Sequence, residues 1–385
     1  MRKQESIVYV NFDPYDNSGK VLDYLIEHFS LVVHFSYDHL RLKHGRKNNL
    51  LSIYKKKVLI KRKRLLHLRT IPILLYPSLP LVAMLIIVQT IIYARLLSKK
   101  YGRFDTYFTV NAFTAWIGIL IRNMGLCKKT VFWVWDYFPI KYPVLSISLA
   151  RLVYWQFDRF SLASSNRVAF TNIKLYRRMK RAGFIKGYRK PMIVPIATEI
   201  KNARPIKKPA YILGFLGMLK WPQGLDMIFD NFEKLSKAIP NIKLEIIGSG
   251  PEEDRFKMRA KQWKNQVRFY GFIEHERRME RIIRRWSIGL APYVPSVSNE
   301  SYWGDPSKIK MYLSLGIPVI TTDVSYMSDV IKKARAGIIV DYDKGEEFIH
   351  AVKTILKKRS LFQKNAHNLA KTYNYRKFYP RLLKD

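Results

Sequence analysis

The sequence predicts an α/β chain built from two doubly wound, parallel-sheet domains, and three observations carry that prediction. Short apolar runs of strand length alternate with helical stretches over most of the chain. The alternation stops once, across the polar, proline-bearing residues 199–209, and then starts again. A chain of 385 residues with 48% hydrophobic content is also long for one core. In the first half, Ser6 to Phe12 reads as a strand, followed by a loop and a helix from Val21. Asp105 to Val110 and Thr130 to Trp135 are further short strands, and helical periodicity runs from Val144 to Ser161. Arg167 to Phe170 and Met192 to Pro195 close this half. The second half reads Ala210 to Gly217, a helix over Leu225 to Ala238, Lys243 to Ile247, and a helix from Glu252. Val267 to Tyr270, Ile288 to Ala291, Pro318 to Thr321 and Gly337 to Val340 follow as strands, then a helix over Gly345 to Lys358. The expected division is 1–198, a linker at 199–209, 210–358, and a helical tail at 359–385 packing back toward the N-terminal domain.

Charge narrows the partners. The net charge is +40, and no acidic residue stands between Asp38 and Asp105. Lys55 to Lys57 and Lys61 to Arg64 form the densest part of a basic block beginning at Arg41. Such a surface seeks a polyanion, either nucleic acid or the anionic lipids of a cytoplasmic leaflet; a merely solvated basic face is the plain alternative. No zinc-finger, RNA-recognition or basic-zipper signature accompanies it, so nucleic acid is the less favoured partner. A charge-free stretch from Thr70 to Ala94 follows directly. Three prolines confine its helical part to Leu81 to Leu97, which reads first as a buried core helix. A membrane-dipping element or a span remain open. One cysteine, Cys127, and no basic-then-apolar leader point to a reducing, cytoplasmic setting, peripheral to the inner face of the membrane.

Four segments of the second half place glycines or charges where parallel strands end, the usual ligand edge of such sheets. They are GMLKWPQGLD with Gly217 and Gly224, LEIIGSGPEE with Gly248 and Gly250, VRFYGFIEHE with Gly271, and SNESYWGDPSKIKMYLSLGIPVITT. In this order they resemble the donor-binding domain of the retaining GT-B glycosyltransferase family (family 4-like, the bacterial mannosyl- and glucosyltransferase type). The resemblance covers Tyr211 to Leu356 and extends faintly over the first half, through the Gly19 loop and WDYFP at Trp135 to Pro139. It implies two Rossmann-like domains facing a cleft and a UDP- or GDP-linked sugar donor. It also implies a retaining reaction; the basic block and apolar stretch lying together in the acceptor half point to a lipid-linked or polysaccharide-precursor acceptor. Carried over by position, Gly217 would lie against the donor diphosphate, with Gly248 and Gly250 in the next phosphate-side loop. Tyr270, Gly271 and Phe272 would frame the base. Lys308 would direct a cation at phosphate, and Glu300 would stand near the sugar. Asp305, Lys310 and Tyr312 match a subgroup reading Gly-Asp-Pro-x-Lys-x-Lys-x-Tyr, and Gly316 shapes the turn that follows.

The chain departs from that pattern in three places. Met218 and Gln223 stand where many relatives have Arg and Lys, and Met311 where they have the ribose-binding carboxylate. Lys220 is the expected replacement cation and Asp305 the replacement ribose acceptor. In the first half, Asp136 ends an apolar strand, where it could orient an acceptor hydroxyl or simply cap or pair. Gly19 opens a helix beside the phosphates or is only a turn. Asp341-Tyr342-Asp343 matches a metal-binding Asp-x-Asp, but it precedes a helix and reads as capping. The sequence therefore predicts a metal-independent transferase without a cofactor. The rival is a basic nucleic-acid- or membrane-binding protein on a catalytically silent scaffold.

Overall fold

The computed structural model describes residues 5–11, 18–37, 49–68, 78–140, 145–187, 190–200, 211–296 and 298–383. They divide into one unit of Met1–Pro195 with Tyr375–Asp385 and a second of Ile196–Asn374. Residues 201–209 of the expected linker lie outside the described residues, as do Arg41 to Asn48 of the basic block and residues 70–77.

The first unit runs β1 (Ser6–Asn11), α1 (Val21–His28), β2 (Leu31–Ser36), β3 (Leu50–Lys55), β4 (Val58–Arg64) and α2 (Leu79–Tyr101). It continues through β5 (Phe104–Thr109), α3 (Ala112–Asn123), β6 (Cys127–Val134), α4 (Leu145–Ser164), β7 (Arg167–Phe170) and α5 (Ile173–Arg181). Its sheet has the order β4-β3-β2-β1-β5-β6-β7. The five strands from β2 to β7 are parallel, and β3 and β4 add an antiparallel hairpin at one edge. That hairpin carries the densest part of the basic block. Its two-residue turn is Lys56-Lys57, with φ 48° and 71°, the pair of left-handed conformations that such a turn demands and that Asn-Gly normally fills. Every residue of β4 is exposed; charge along an open edge strand also discourages pairing with another sheet.

Helices α2, α3 and α4 pack on one face of this sheet. Ile86 and Ala94 of α2 and Phe113, Ile117 and Ile121 of α3 join Val8, Val10, Val33 and Phe35 in one core, with Tyr154 and Phe157 of α4 against it. The first expectation for α2, a buried core helix, is corrected here. Only 22% of its most apolar window is buried, and its buried positions include the polar Gln89 and Thr90. Gln89 accepts from Leu66 N at 2.7 Å and donates to Leu66 O at 3.1 Å, while Thr90 shares a 2.7 Å hydrogen bond with Tyr37.

The second unit alternates strictly: β8 (Ile212–Leu216), α6 (Leu225–Ala238), β9 (Lys243–Ile247), α7 (Glu253–Arg259), β10 (Val267–Phe269), α8 (Glu276–Ile283) and β11 (Ile288–Ala291). Then come α9 (Ser307–Ser314), β12 (Val319–Thr322), α10 (Met327–Ala334), β13 (Gly337–Val340), α11 (Gly345–Lys357) and α12 (Arg359–Thr372). The six strands are all parallel in the order β10-β9-β8-β11-β12-β13. Helix α12 does not belong to the first unit: Ala366, Leu369 and Ala370 share a core with Ile309 and Leu313 of α9. Only the last short helices, α13 (Tyr375–Phe378) and α14 (Pro380–Leu383), do so. There Tyr379 donates to Gly19 O at 2.6 Å and stacks edge-on to Trp133.

Candidate active site

In the second unit the loops leaving β8, β9 and β10 are tied into one rim. Gly217 N donates to Ile247 O at 3.0 Å, Gly248 N to Gly271 O at 2.8 Å, and Leu219 N to Ser249 O at 3.0 Å. Glycine is required where these loops cross. A Cβ on Gly248, which has φ 130°, would lie 1.9 Å from Gly217 O, and one on Gly250 would lie 2.4 Å from Leu219 O. These bonds revise the simplest expectation for Gly217 and Gly248. Their amides are committed to neighbouring carbonyls, so they supply close loop approach rather than free donors for phosphate. Gly271, with φ 64°, borders open space.

The rim also carries two lysine side chains. Lys308, in the first turn of α9, reaches to the Gly217 loop: its Nζ donates to Gln223 Oε1 at 2.5 Å and sits 3.0 Å from where a Gly217 Cβ would be. The residue keeps some surface, but its ammonium lies 4.3 Å from the Phe215 ring centroid and 5.0 Å from that of Tyr293. Burial, reinforced by the neighbouring Lys220 charge, pulls the Lys308 pKa down to about 7. Lys220 Nζ meets Glu300 Oε2 at 3.0 Å. Gln223, read in the sequence only as a departure, is the group that holds Lys308.

The Glu300 loop has a support that sequence reasoning missed. Asn299 is fully buried, donates to Pro222 O at 2.8 Å and Val294 O at 2.9 Å, and accepts from Ser301 N. Its position as a cap before Glu300 was the available signal. Tyr270 lies at the β10 end with its hydroxyl donated to Glu245 Oε1 at 3.0 Å and accepting from Arg285. Phe272 is half-buried beyond it.

Three further candidates are drawn away from this rim. Asp305 is not placed to hold a ribose. It is buried, accepts from Ile196 N at 2.7 Å and from Tyr326 at 3.0 Å, and pairs with Lys310, which also donates to Ile196 O. Burial raises the Asp305 pKa and lowers that of Lys310 to about 8, each opposed by the partner's charge. Tyr312 is also internal: its hydroxyl accepts from Leu216 N at 2.8 Å beneath the sheet end. Gly316, with φ 72°, makes the turn from α9 to β12. Of the Asp-x-Asp residues, Asp341 accepts from Asp343 N at 3.2 Å in the turn ahead of α11 and pairs with Lys344. This bond caps a turn and not α11 itself, whose N-cap is Lys344.

In the first unit, Asp136 follows β6 and is exposed, whereas its neighbours Trp135 and Tyr137 are buried. Asp136 lines a cavity of about 40 Å³ with Asn111, Trp135, Tyr154 and Asp158. Burial holds the Asp158 carboxyl well above the usual carboxylate range, and Trp135 Nε1 has no hydrogen-bond partner among the described residues. Nothing in the helical pattern around Asp158 marks it as lining a polar pocket.

Residues 210–358 match the family described as Glycosyl transferases group 1. No curated protein matches the chain. Among solved structures, sucrose-phosphate synthase from Thermosynechococcus elongatus is similar with a TM-score of 0.70 at 15% identity, over 97% of this chain and 96% of that one. An E. coli structure described as trehalose-6-phosphate bound with UDP-2-fluoro glucose aligns with a TM-score of 0.66 at 13% identity, over 97% of both chains. An S. aureus TarM variant in complex with fondaparinux, alpha-GlcNAc-glycerol and UDP aligns with a TM-score of 0.56 at 12% identity, over 72% of this chain and 54% of that one. The two findings agree: residues 210–358 form a glycosyl transferases group 1 domain, and the chain shares the two-domain GT-B fold of these structures over nearly its whole length.

Proposed function

We propose that the chain transfers a sugar from a UDP- or GDP-linked donor to a lipid-linked or polysaccharide-precursor saccharide, at the inner face of the cell membrane. The observation that carries the donor half is Lys308. It is an ammonium held by Gln223 against a glycine whose missing side chain leaves room beside it. The bond from the anomeric carbon to the diphosphate breaks, and one to an acceptor oxygen forms on the same face. The acceptor proton is lost and the nucleoside diphosphate leaves with added negative charge. Lys308 stabilises that charge, and Lys220 joins it by exchanging Glu300 for phosphate; such preorganised cations favour the transition state. Glu300, freed of Lys220, faces the sugar. Two similar structures are described with UDP or a UDP-sugar, which supports a nucleotide donor. Transfer is taken to proceed without a metal ion, because lysines here fill the charge-neutralising role.

The test is a panel of UDP- and GDP-sugars scored by thermal stabilisation, with and without EDTA. One nucleotide series should raise the melting temperature in wild type, EDTA should leave that shift in place, and Lys308→Ala should lose most of it. No shift with any member of the panel contradicts the donor assignment.

A further inference from the structure

Helices α2 and α4 share an inverted pattern. On α2, Leu81, Met84, Val88 and Ile92 point outward at 57%, 58%, 46% and 50% exposure, while the polar Gln89 and Thr90 are buried. The same outward face becomes basic at its C-terminal end, with Arg95, Lys99 and Lys100 exposed. On α4, Leu145, Leu149, Leu152, Val153 and Phe160 are exposed while Asp158 and Ser161 are buried. A helix that turns its apolar residues outward meets a non-aqueous partner. Both helices lie on the same sheet face, flanking the buried α3.

The partner's charge is legible from the surroundings. The β3–β4 hairpin adjoins α2: Leu66, just after β4, is the residue held by Gln89, and Lys63 Nζ lies 5.0 Å from the Tyr93 ring centroid. Lys55 to Lys57 and Lys61 to Arg64 are all exposed. Asp158, the sole acid on β3, β4, α2 and α4, is buried. Apolar rows bordered by uncompensated positive charge match a leaflet with anionic headgroups above its hydrocarbon. A second copy of this chain would bring like charge toward like.

We infer that α2, α4 and the β3–β4 hairpin form a monotopic docking face for an anionic membrane, the helix rows entering the acyl boundary and the hairpin contacting headgroups. The inward bonds of Gln89 and Thr90 keep α2 attached to the core, so it lies on the bilayer instead of crossing it. This deepens the membrane part of the reading above. It is measured without donor or acceptor, so its failure and a failure of sugar transfer are separable.

The experiment is flotation of the full chain with phosphatidylglycerol-containing and pure phosphatidylcholine vesicles, beside sedimentation of the free protein. Wild type should float with the anionic vesicles and be only partly released by salt, because screening removes the charge component alone. Replacing Lys55 to Lys57 and Lys61 to Arg64 by Gln should weaken binding at least about tenfold. The variant Leu81→Gln, Met84→Gln, Val88→Gln, Ile92→Gln should bind only in low salt. A dye on Val88→Cys should shift to the blue on anionic vesicles, whereas one on Leu361→Cys, in the second unit, should not; Cys127 is buried and stays unlabelled. Equal binding by wild type and either variant, an unshifted dye at position 88, or a dimer that the α2 variant dissociates would overturn the inference.

Discussion

Helices α6 and α2 obey the same geometry with opposite results. On α6 the apolar residues Leu225, Ile228, Phe232 and Leu235 are buried, and Glu233, Lys234 and Lys237 face water. On α2 the outward row is apolar and the inward positions include Gln89 and Thr90. A helical repeat therefore tells which residues share a face but not what that face meets. For α6 the partner is the sheet core of the second unit. For α2 the inward polar groups are satisfied by specific partners, and it is the outer face that needs one.

Substitutions can break that comparison. Ile228→Ala, in the core of the second unit, should cost about 2–5 kcal/mol in urea denaturation. Gln89→Ala should cost about 1–3 kcal/mol, because it strands the Leu66 amide, while the Leu66 carbonyl keeps its bond from Asn49 Nδ2. Val88→Ala should stay within about 0.5 kcal/mol. If Val88→Ala proves as costly as Ile228→Ala, the α2 row is internal and the contrast fails.

A pH measurement sharpens the same contrast at the rim. The Lys308 pKa is lowered from 10.5 to about 7, so between those values the unfolded chain holds the extra proton. Its contribution to stability therefore rises with pH across that window, while charge available to a diphosphate falls as pH climbs through about 7. Nucleotide affinity of the free protein should weaken from pH 6.5 to 8.5, by up to about tenfold per pH unit for one lost proton. Lys308→Arg, which stays charged, should flatten that profile. An identical profile in the two proteins would assign the titration elsewhere.

Much of the second unit could be read in advance. The short apolar runs at 243–247, 288–291 and 337–340 coincide with β9, β11 and β13, and α6 begins and ends where its periodicity does. The β3–β4 hairpin could not be read in this way, because Lys56-Lys57 lacks the residues that announce such a turn. Among site candidates, Lys308, Lys220, Glu300 and the glycine loops gather because each lies in the connection that leaves the carboxyl end of a parallel strand or in the first turn of the helix that the connection leads into. Asp305 and Lys310 also occupy such a segment, yet their partner is the backbone of Ile196, over a hundred residues earlier. A charged pair five residues apart carries no sign of whether it faces a ligand or closes on the chain. The α4 pocket with Asp158 and Trp135 escaped for a related reason: a single acid in a helix looks solvated until packing buries it.

Turnover of the Lys308→Ala enzyme bears most directly on the placement of the donor diphosphate. With the nucleotide sugar that stabilises wild type, the variant should transfer at least about tenfold more slowly, as expected for losing a charge-assisted contact to the leaving group. Its fold should persist, since Lys308 keeps some surface at the loop rim and belongs to neither core of the second unit. Transfer at the wild-type rate by a folded Lys308→Ala protein would contradict the placement of the diphosphate beside Gly217 and Gln223.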